Sequence, residues 1–243
     1  MKPRCCAVAV GLALLLARSL GAQAGAPDPD ARRLRPGVDS LAIFLVRGSD
    51  TTRTGTLRDE LMVVREGDRE LLRRVYVSAD RVLGTRVDTL VDVLSNLRPV
   101  RHRSRSDRTI EILDFAAGRA RGWLRLTNQD SVAVDAPAEA AYNASSFDLV
   151  LRASTLSDGW AVTVPAFVPQ VRAVSPMRAR VVDPETVNGE VCWRVQAEFG
   201  GTPVTFWIGQ ISRTLQQQVM QVGPDVQILF RRTSPTTRNG RAT

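Results

Sequence analysis

Between residues 38 and 232 the chain alternates apolar and polar positions in short runs separated by Gly, Pro, Asp and Asn. The clearest run is Glu190 to Phe199, where every second residue is apolar and most of the residues between are polar. A period of two places alternate side chains on opposite faces of a strand. The pattern therefore predicts a single domain of antiparallel strands, each with one buried face.

The C-terminal part of this region predicts a four-stranded meander. Gly200-Gly201 favours a hairpin turn, because it allows positive φ, and the next strand carries Val204, Phe206 and Ile208 on one face. Gly223-Pro224-Asp225 predicts the last turn. Further strands are predicted at 41–47, 57–65, 70–78, 109–115, 119–127, 160–167 and 171–182, whereas 88–97 fits either a strand or a helix.

One segment departs from the alternation. Ser145 and Ser146 can cap a short helix in which Phe147, Val150 and Leu151 share a face. The expected fold class is therefore mainly β, a curved antiparallel sheet with one short helix packed on or in it.

Residues 1–24 have the regions of a cleavable signal peptide: Lys2 and Arg4, an apolar run from 7 to 17, and the small-x-small site Ala22-Gln23-Ala24. The run is about half the length that a membrane-spanning helix needs. We expect cleavage after Ala24, a periplasmic or secreted mature chain, and no membrane span after cleavage.

The segments that flank the predicted domain are polar. Residues 25–37 predict a flexible leader and residues 233–243 a disordered tail. Cleavage of the signal changes the balance of 33 basic and 25 acidic residues to 30 and 25, so the mature chain is only mildly basic.

The residue inventory excludes several kinds of chemistry. Lys2 is the only lysine, which excludes a P-loop, a Ser-Lys hydrolase and a Schiff-base mechanism. His102 is the only histidine, and Cys192 is the only cysteine after cleavage. Neither an intrachain disulfide nor the usual zinc site can form within one mature chain. We expect no cofactor, and the inventory favours a protein that is not an enzyme.

His102 and Cys192 are the candidates for a nucleophilic pair, but their contexts favour other roles. His102 lies among the arginines of 98–108, which predicts a solvated surface residue. Cys192 falls on the polar face of its strand, which predicts partial exposure and a structural role.

Two carboxylate pairs are candidates for acid–base chemistry. Asp88 with Asp92, or Glu111 with Asp114, would serve if a cleft held the members of a pair about 5 to 10 Å apart. Chance spacing among 25 acidic residues is the alternative.

Arg101, Arg103 and Arg105 alternate along an extended segment, which places three guanidinium groups on one face at about 7 Å spacing. Such a row could contact the anionic groups of lipid heads, lipopolysaccharide or anionic polymers. The alternative is a solvent-facing edge on which charge prevents strand pairing. Nucleic acid is not expected, because aromatic stacking platforms are missing.

Trp160, Trp193, Phe206 and Trp207 are the candidates for contact with an apolar ligand, and core packing is the alternative. Trp193 shares its face with valines, which indicates the core. Trp207 lies opposite Phe206, which indicates a cavity mouth or a partner surface.

A helical Phe-Asp-Leu-Val-Leu-Arg segment precedes a meander with Cys192-Trp193-Arg194-Val195 and Thr205-Phe206-Trp207-Ile208. This order resembles a family of uncharacterised bacterial periplasmic β-rich domains, and more distantly the lipoprotein-carrier half-barrels of the LolA and LolB kind. The most similar piece is 191–230. The resemblance implies an incomplete β-barrel over a helix, with an apolar cavity that holds acyl chains in the carriers. No functional residue carries over by position.

These observations predict an exported, non-enzymatic β-domain that binds an apolar or lipid-like ligand or supports cell-envelope assembly through an envelope protein partner. Two alternatives stay open. A hydrolase of envelope polymers would show an open cleft with two acidic side chains of raised pKa. A protein–protein interaction module would show a large exposed apolar patch.

Overall fold

The computed structural model describes residues 27–199 and 201–233. Within them the protein is mostly β: sixteen strands form one open, curved sheet with a single α-helix, α1 (Phe147–Ala153). This is the predicted fold class. The strands are β1 (Gly37–Arg47), β2 (Asp50–Glu66), β3 (Arg69–Asp80), β4 (Gly84–Val93), β5 (Pro99–Ser106), β6 (Thr109–Ala116), β7 (Arg119–Leu126), β8 (Val132–Pro137), β9 (Tyr142–Asn143), β10 (Ala161–Val168), β11 (Ala173–Val181), β12 (Glu185–Val187), β13 (Glu190–Phe199), β14 (Thr202–Gly209), β15 (Leu215–Gly223) and β16 (Val226–Arg232).

The sheet is built from two meanders that share one seam. Strands β1 to β8 form one meander in which sequence neighbours pair, and strands β13 to β16 form the other. Antiparallel pairing of β1 with β16 joins the two meanders, and β11, β10 and β9 extend the second one. The edges are β8 and β9, so the sheet is not closed. The predicted C-terminal meander is confirmed.

Helix α1 lies in the concave side of the sheet. All seven of its residues are buried, and the Phe147 ring packs at 90° against Phe199, with 5.0 Å between centroids. Inward side chains such as Ile43 and Phe206 complete the same apolar core. Because a helix of this length is not stable alone in water, packing against the sheet must hold it.

The two ends of the sheet overlap. Ala166 on β10 faces the main core, whereas the next residue, Phe167, faces the opposite way into a second apolar cluster with residues of β6 to β8. There Phe167 meets the Phe115 ring on β6 edge-on, 5.7 Å between centroids. The sheet therefore curls until its first part covers the outer side of β10.

Most predicted strands are confirmed, and the ambiguous segment 88–97 is strand β4 followed by a turn at Leu97, which has φ 54°. The predicted helix is confirmed as α1. Strand β8 was not predicted, because Val132–Pro137 is short and shows little alternation.

The prediction that residues 25–37 form a flexible leader is corrected for the described part of this segment. Residues 31–33 form a 3-10 turn in which Ala31 is buried, and Leu34 is buried after it. The Ala31 N–H bonds to the carbonyl of Leu94 (3.0 Å), and Arg33 donates to the carbonyl of Ala153 (2.7 Å). These apolar contacts and hydrogen bonds to buried carbonyls hold the segment despite its prolines.

The predicted signal peptide, residues 1–24, and the tail beyond Thr233 lie outside the described residues. Among the described residues, no helix has the length and apolar character needed to cross a membrane.

Candidate functional site

A cleft of about 460 Å³ opens at one rim of the sheet. It lies where the chain enters β1, beside β2, and between the turns that precede β13 and β15. Most of its lining side chains carry hydroxyl, amide, carboxylate or guanidinium groups. The lining residues are Arg35, Pro36, Gly37, Val38, Asp39, Asp59, Leu61, Asn188, Ser212, Thr214, Gln216 and Arg232.

One wall of the cleft is a hydrogen-bond network centred on Glu190, the first residue of β13. Its carboxylate accepts from the Ser212 hydroxyl (2.8 Å) and backbone N–H (2.9 Å), and from the Gln216 amide (2.8 Å). Gln216 also donates to Thr214 and accepts from Asn188. Because nearly every polar group has a partner, these side chains hold fixed orientations.

Two carboxylates lie side by side in the lining of the cleft. Asp39 on β1 is directly opposite Asp59 on β2 in the strand register, so the two side chains lie on the same face. Asp39 pairs with Arg232 (2.5 Å), and Asp59 pairs with Arg74. Each acidic group in this part of the cleft therefore has its own counter-charge.

The floor of the cleft leads to a buried cluster of four charged residues. Arg74 donates from Nε and Nη2 to the two oxygens of Asp59 (2.7 and 2.8 Å) and from Nη1 and Nη2 to those of Asp148 (2.7 and 3.1 Å). Arg152 lies 3.5 Å from Asp148 and 3.8 Å from Asp59, and its Nε donates to the Arg213 carbonyl (2.9 Å). All four residues are buried.

The charge cluster holds two arginines and two aspartates, and within it Asp59 and Arg74 hold each other ionised. Burial by itself raises the pKa of Asp59, but the charge and hydrogen bonds of Arg74, with the charge of Arg152, leave that pKa below its usual value. Burial likewise opposes the charge on Arg74, but the two aspartates raise its pKa well above the usual range.

The ion pairs of Asp39 and Asp59 bear on whether the cleft could act as a glycosidase site. A glycosidase needs one carboxyl that stays protonated near neutral pH to serve as general acid. Asp59 has the opposite shift, and the other carboxylate of the cleft is ion-paired. The cleft therefore offers fixed hydrogen-bonding groups, and its two carboxylates are not poised for acid–base catalysis.

A polar row crosses the concave face from the cleft inward. Each of the strands β2 to β6 contributes one residue to this row, and each residue is directly opposite the next. In strand order they are Asp59, Tyr76, Asp88, Ser104 and Glu111. Burial raises the pKa of Tyr76 well above its usual value. Burial also raises that of Asp88, but contacts with His102, Arg86 and Ser104 more than offset this and leave it lowered.

His102 is buried beside this row, which corrects the prediction that it is a solvated residue. Its side chain points inward because it alternates with the outward arginines of β5. His102 Nε2 lies 3.8 Å from Asp88 Oδ1, and neither ring nitrogen has a hydrogen-bond partner among the described residues. Ser104 lies two residues further along the same face of β5, and its hydroxyl has no hydrogen-bond partner among the described residues either. Asp88 lies opposite Ser104 on the neighbouring strand, and this is not the order of a catalytic triad.

The prediction for Cys192 is also corrected. The sequence predicts partial exposure, but the thiol is fully buried at a place where β13 has β12 paired on one side and β14 on the other. Burial, together with the charge of Glu190, raises the pKa of the thiol to about 11. A thiol with that pKa is a poor nucleophile.

The two predicted carboxylate pairs differ in where their members lie: one pair is buried on the inner face, and the other is divided between the two faces of the sheet. Asp88 and Asp92 both point inward from β4 and are buried. Glu111 is buried on the inner face of β6, whereas Asp114 is exposed and pairs with Arg103 on the outer face. Neither pair lines the rim cleft.

The four aromatic candidates do not come together at one place. Phe206 is 2% exposed and packs near Phe199 in the core. Trp160 and Trp193 are partly buried against the same core. Trp207 lies on the outer face, where its indole N–H donates to Glu185 (2.8 Å). The apolar-ligand role of these residues stays a prediction.

The arginine row lies on the outer face of β5, as its alternation indicates. Arg101 is ion-paired with Glu66, and Arg103 with Asp114 (2.6 Å). Arg105 is exposed. Contact of the row with an anionic ligand stays a prediction.

Sequence reasoning missed the rim cleft and the charge cluster. Arg74 and Asp59 do lie at inward positions of alternating strands, and an inward charge in such a strand signals a buried ion pair. Asp148 and Arg152 are four residues apart on the helix, a spacing that places both on one face.

The comparisons with known proteins bear on the fold. Among the solved structures that match is a β-barrel-like protein of domain of unknown function DUF1849 from Brucella abortus, with a TM-score of 0.50 and 14% identity over 83% of this chain and 97% of that one. A putative thioesterase II from Thermobifida fusca matches with a TM-score of only 0.14 and 10% identity, over 80% of this chain and 79% of that one. No protein-family model matches the chain, and no curated protein matches it. The first similarity is consistent with an uncharacterised β-rich domain and concerns the fold alone.

Removal of Arg74 tests the charge cluster. We expect Arg74→Met to lower the free energy of unfolding by about 3–5 kcal/mol, because Asp59 and Asp148 lose their main counter-charge in a buried site. Urea denaturation measures the loss. Arg73→Met, one residue away on the exposed face, is the matched control and should change stability by about 0.5 kcal/mol or less. Equal effects of the two variants would contradict the role of the cluster.

The raised pKa of Asp92 predicts that its contribution to the stability of the fold falls as the pH rises toward neutral. Burial raises its folded pKa from 3.8 to about 7, although Ser146 donates a hydrogen bond to it (3.0 Å). The folded state then binds a proton that the unfolded state has released, so this contribution to stability is complete below pH 4 and is lost as the pH rises to about 7.

We therefore expect Asp92→Asn, which resembles the protonated carboxyl, to exceed wild type in stability at pH 8 by on the order of 2 kcal/mol. The difference should shrink steadily toward pH 4. Denaturation between pH 4 and pH 8 measures it, with Asp50→Asn at an exposed position as control. Parallel stability curves for Asp92→Asn and wild type would contradict the raised pKa.

Proposed function

We propose that this protein is an exported binding domain of the cell envelope that holds a small polar ligand in the rim cleft without transforming it. The observation that carries the proposal is the cleft itself. It combines about 460 Å³ of open space with a hydrogen-bonded wall around Glu190 and a charge-balanced floor at Asp59. Polar groups held in fixed positions around a cavity of this size are typical of small-molecule sites.

The lining favours a polar ligand over an acyl chain. Hydroxyl, amide and ion-paired groups surround the opening, whereas the apolar concave side of the sheet is occupied by α1 and the aromatic rings packed on it. An acyl chain would have to displace α1, and that movement would break the pairs of Arg74 with Asp148. Loss of a buried ion pair costs several kcal/mol.

The ionisation of the cleft favours binding over catalysis. Asp39 and Asp59 are each paired with an arginine, so neither supplies the protonated carboxyl that hydrolysis of a glycosidic bond requires. The same ion pairs give the site little net charge. We therefore expect a neutral ligand rich in hydroxyl or amide groups.

Export is tested in a culture of the native host. The proposal expects the protein in the periplasmic or secreted fraction, with an intact mass that corresponds to a chain starting at Gly25. The physical reason is the charged start, apolar run and small-residue site of residues 1–24. A chain that keeps these residues and stays in the cytoplasm contradicts export.

Ligand binding is tested by thermal shift and calorimetric titration with two panels of similar molecular size, neutral saccharides and fatty acids. We expect at least one saccharide to raise the melting temperature of the mature chain and no fatty acid to do so.

Val38→Trp should abolish this effect, because Val38 lines the cleft and is half-exposed, so that a much larger side chain there would obstruct it. Val82→Trp, at an equally exposed turn elsewhere, is the matched control. Stabilisation by a fatty acid, or by no member of either panel, would count against the proposed site, as would a response that survives Val38→Trp.

A further inference from the structure

A second cleft, of about 340 Å³, lies where the β5–β6 turn meets the end of β7. Arg105 on β5 and Arg125 on β7 are both directly opposite Ile110 on the strand between them. Directly opposed residues point to the same face of a sheet, and two strand spacings separate the Cα atoms of the arginines by about 10 Å. Two long guanidinium side chains can therefore converge above Ile110.

These two arginines differ from the neighbouring ones in their charge environment. Arg101 and Arg103 are neutralised by Glu66 and Asp114, and Arg121 by Asp135. Within the described part of the chain, neither Arg105 nor Arg125 has a carboxylate oxygen within 4.0 Å, and both are exposed.

The remaining lining of this cleft is neutral and hydrogen-bonding. Asn128 and Gln129 contribute amides. The Thr127 hydroxyl already donates to the Asp107 carbonyl (2.7 Å), and the hydroxyls of Ser106 and Thr109 bond to each other (3.0 Å). The acidic residue in the adjoining turn, Asp107, directs its carboxylate to the Thr85 N–H (2.8 Å). The cleft thus carries two positive charges and two side-chain amides that can donate to an oxyanion.

We infer that Arg105 and Arg125 form a binding site for a phosphate group. An arginine fork matches a tetrahedral oxyanion with two parallel hydrogen bonds, and a phosphate monoester has enough oxygen atoms for two forks. The chemistry is shared by a free phosphate, a soluble phosphate ester and the head group of a phosphomonoester lipid. The site is separate from the rim cleft and does not depend on the function proposed for it.

The sequence prediction placed an anion site along a single strand, at Arg101, Arg103 and Arg105. The sheet instead pairs two of those arginines with carboxylates and brings Arg125 beside the third. The proposed site therefore runs across strands.

The test compares two double variants that lose the same charge. Arg105→Gln with Arg125→Gln removes the site, and Arg47→Gln with Arg178→Gln removes two exposed arginines elsewhere. Inorganic phosphate and glycerol phosphate are titrated by calorimetry, and vesicles of phosphatidylcholine with or without phosphatidic acid are used in cosedimentation. Melting temperatures of all three proteins control for folding.

We expect at least one phosphate probe to bind wild type and the control variant, and its affinity to fall about tenfold or more in the Arg105 and Arg125 variant, since one charge-assisted bidentate contact alone is worth that much. Binding should weaken as salt rises. If the protein binds only to vesicles that contain phosphatidic acid, the ligand is a lipid head group. If it binds only the soluble probes, the ligand is a free phosphate or a soluble phosphate ester. Equal losses in the two double variants, or binding of no phosphate probe by wild type, would overturn the site.

Discussion

The contact of Arg74 with Asp59 and Asp148 is the constraint on which the rest of the structure depends. It joins three elements that are distant in sequence, since Arg74 lies on β3, Asp59 on β2 and Asp148 on α1. Buried charges are tolerated only when they are paired and hydrogen-bonded. The observed position of the helix brings Asp148 to Arg74 and so pairs the buried charges, and the apolar core packs around the helix in that position.

The same contact shapes the chemistry of the rim cleft. Asp59 is both a lining residue of the cleft and a member of the charge cluster, so the ionisation of the cleft floor is set by the pairing that holds the helix. A group locked in this way can orient a ligand, but it cannot exchange a proton readily near neutral pH. The packing of the helix and the ionisation of the cleft floor thus have one cause.

Particular elements show how far the sequence predicts the structure. The meander of β13 to β16 and helix α1 follow from local alternation and capping, which are properties of neighbouring residues. The 3-10 turn at 31–33 did not follow, because its proline-rich surroundings resemble a flexible segment and its partners, Leu94 and Ala153, are far along the chain. Burial of His102 and Cys192 likewise depends on what covers each face of the sheet.

The sequence by itself determined the class of fold and the face on which each alternating side chain lies, and it places no lysine and a single cysteine, Cys192, in residues 25–243. These follow from covalent geometry and from the inventory of residues. Only the tertiary structure decided the seam between β1 and β16, the cleft between Asp39 and Gln216, and the meeting of Arg105 with Arg125. Those features are set by strand order and sheet curvature, which arise from contacts between distant residues and leave no local pattern in the chain.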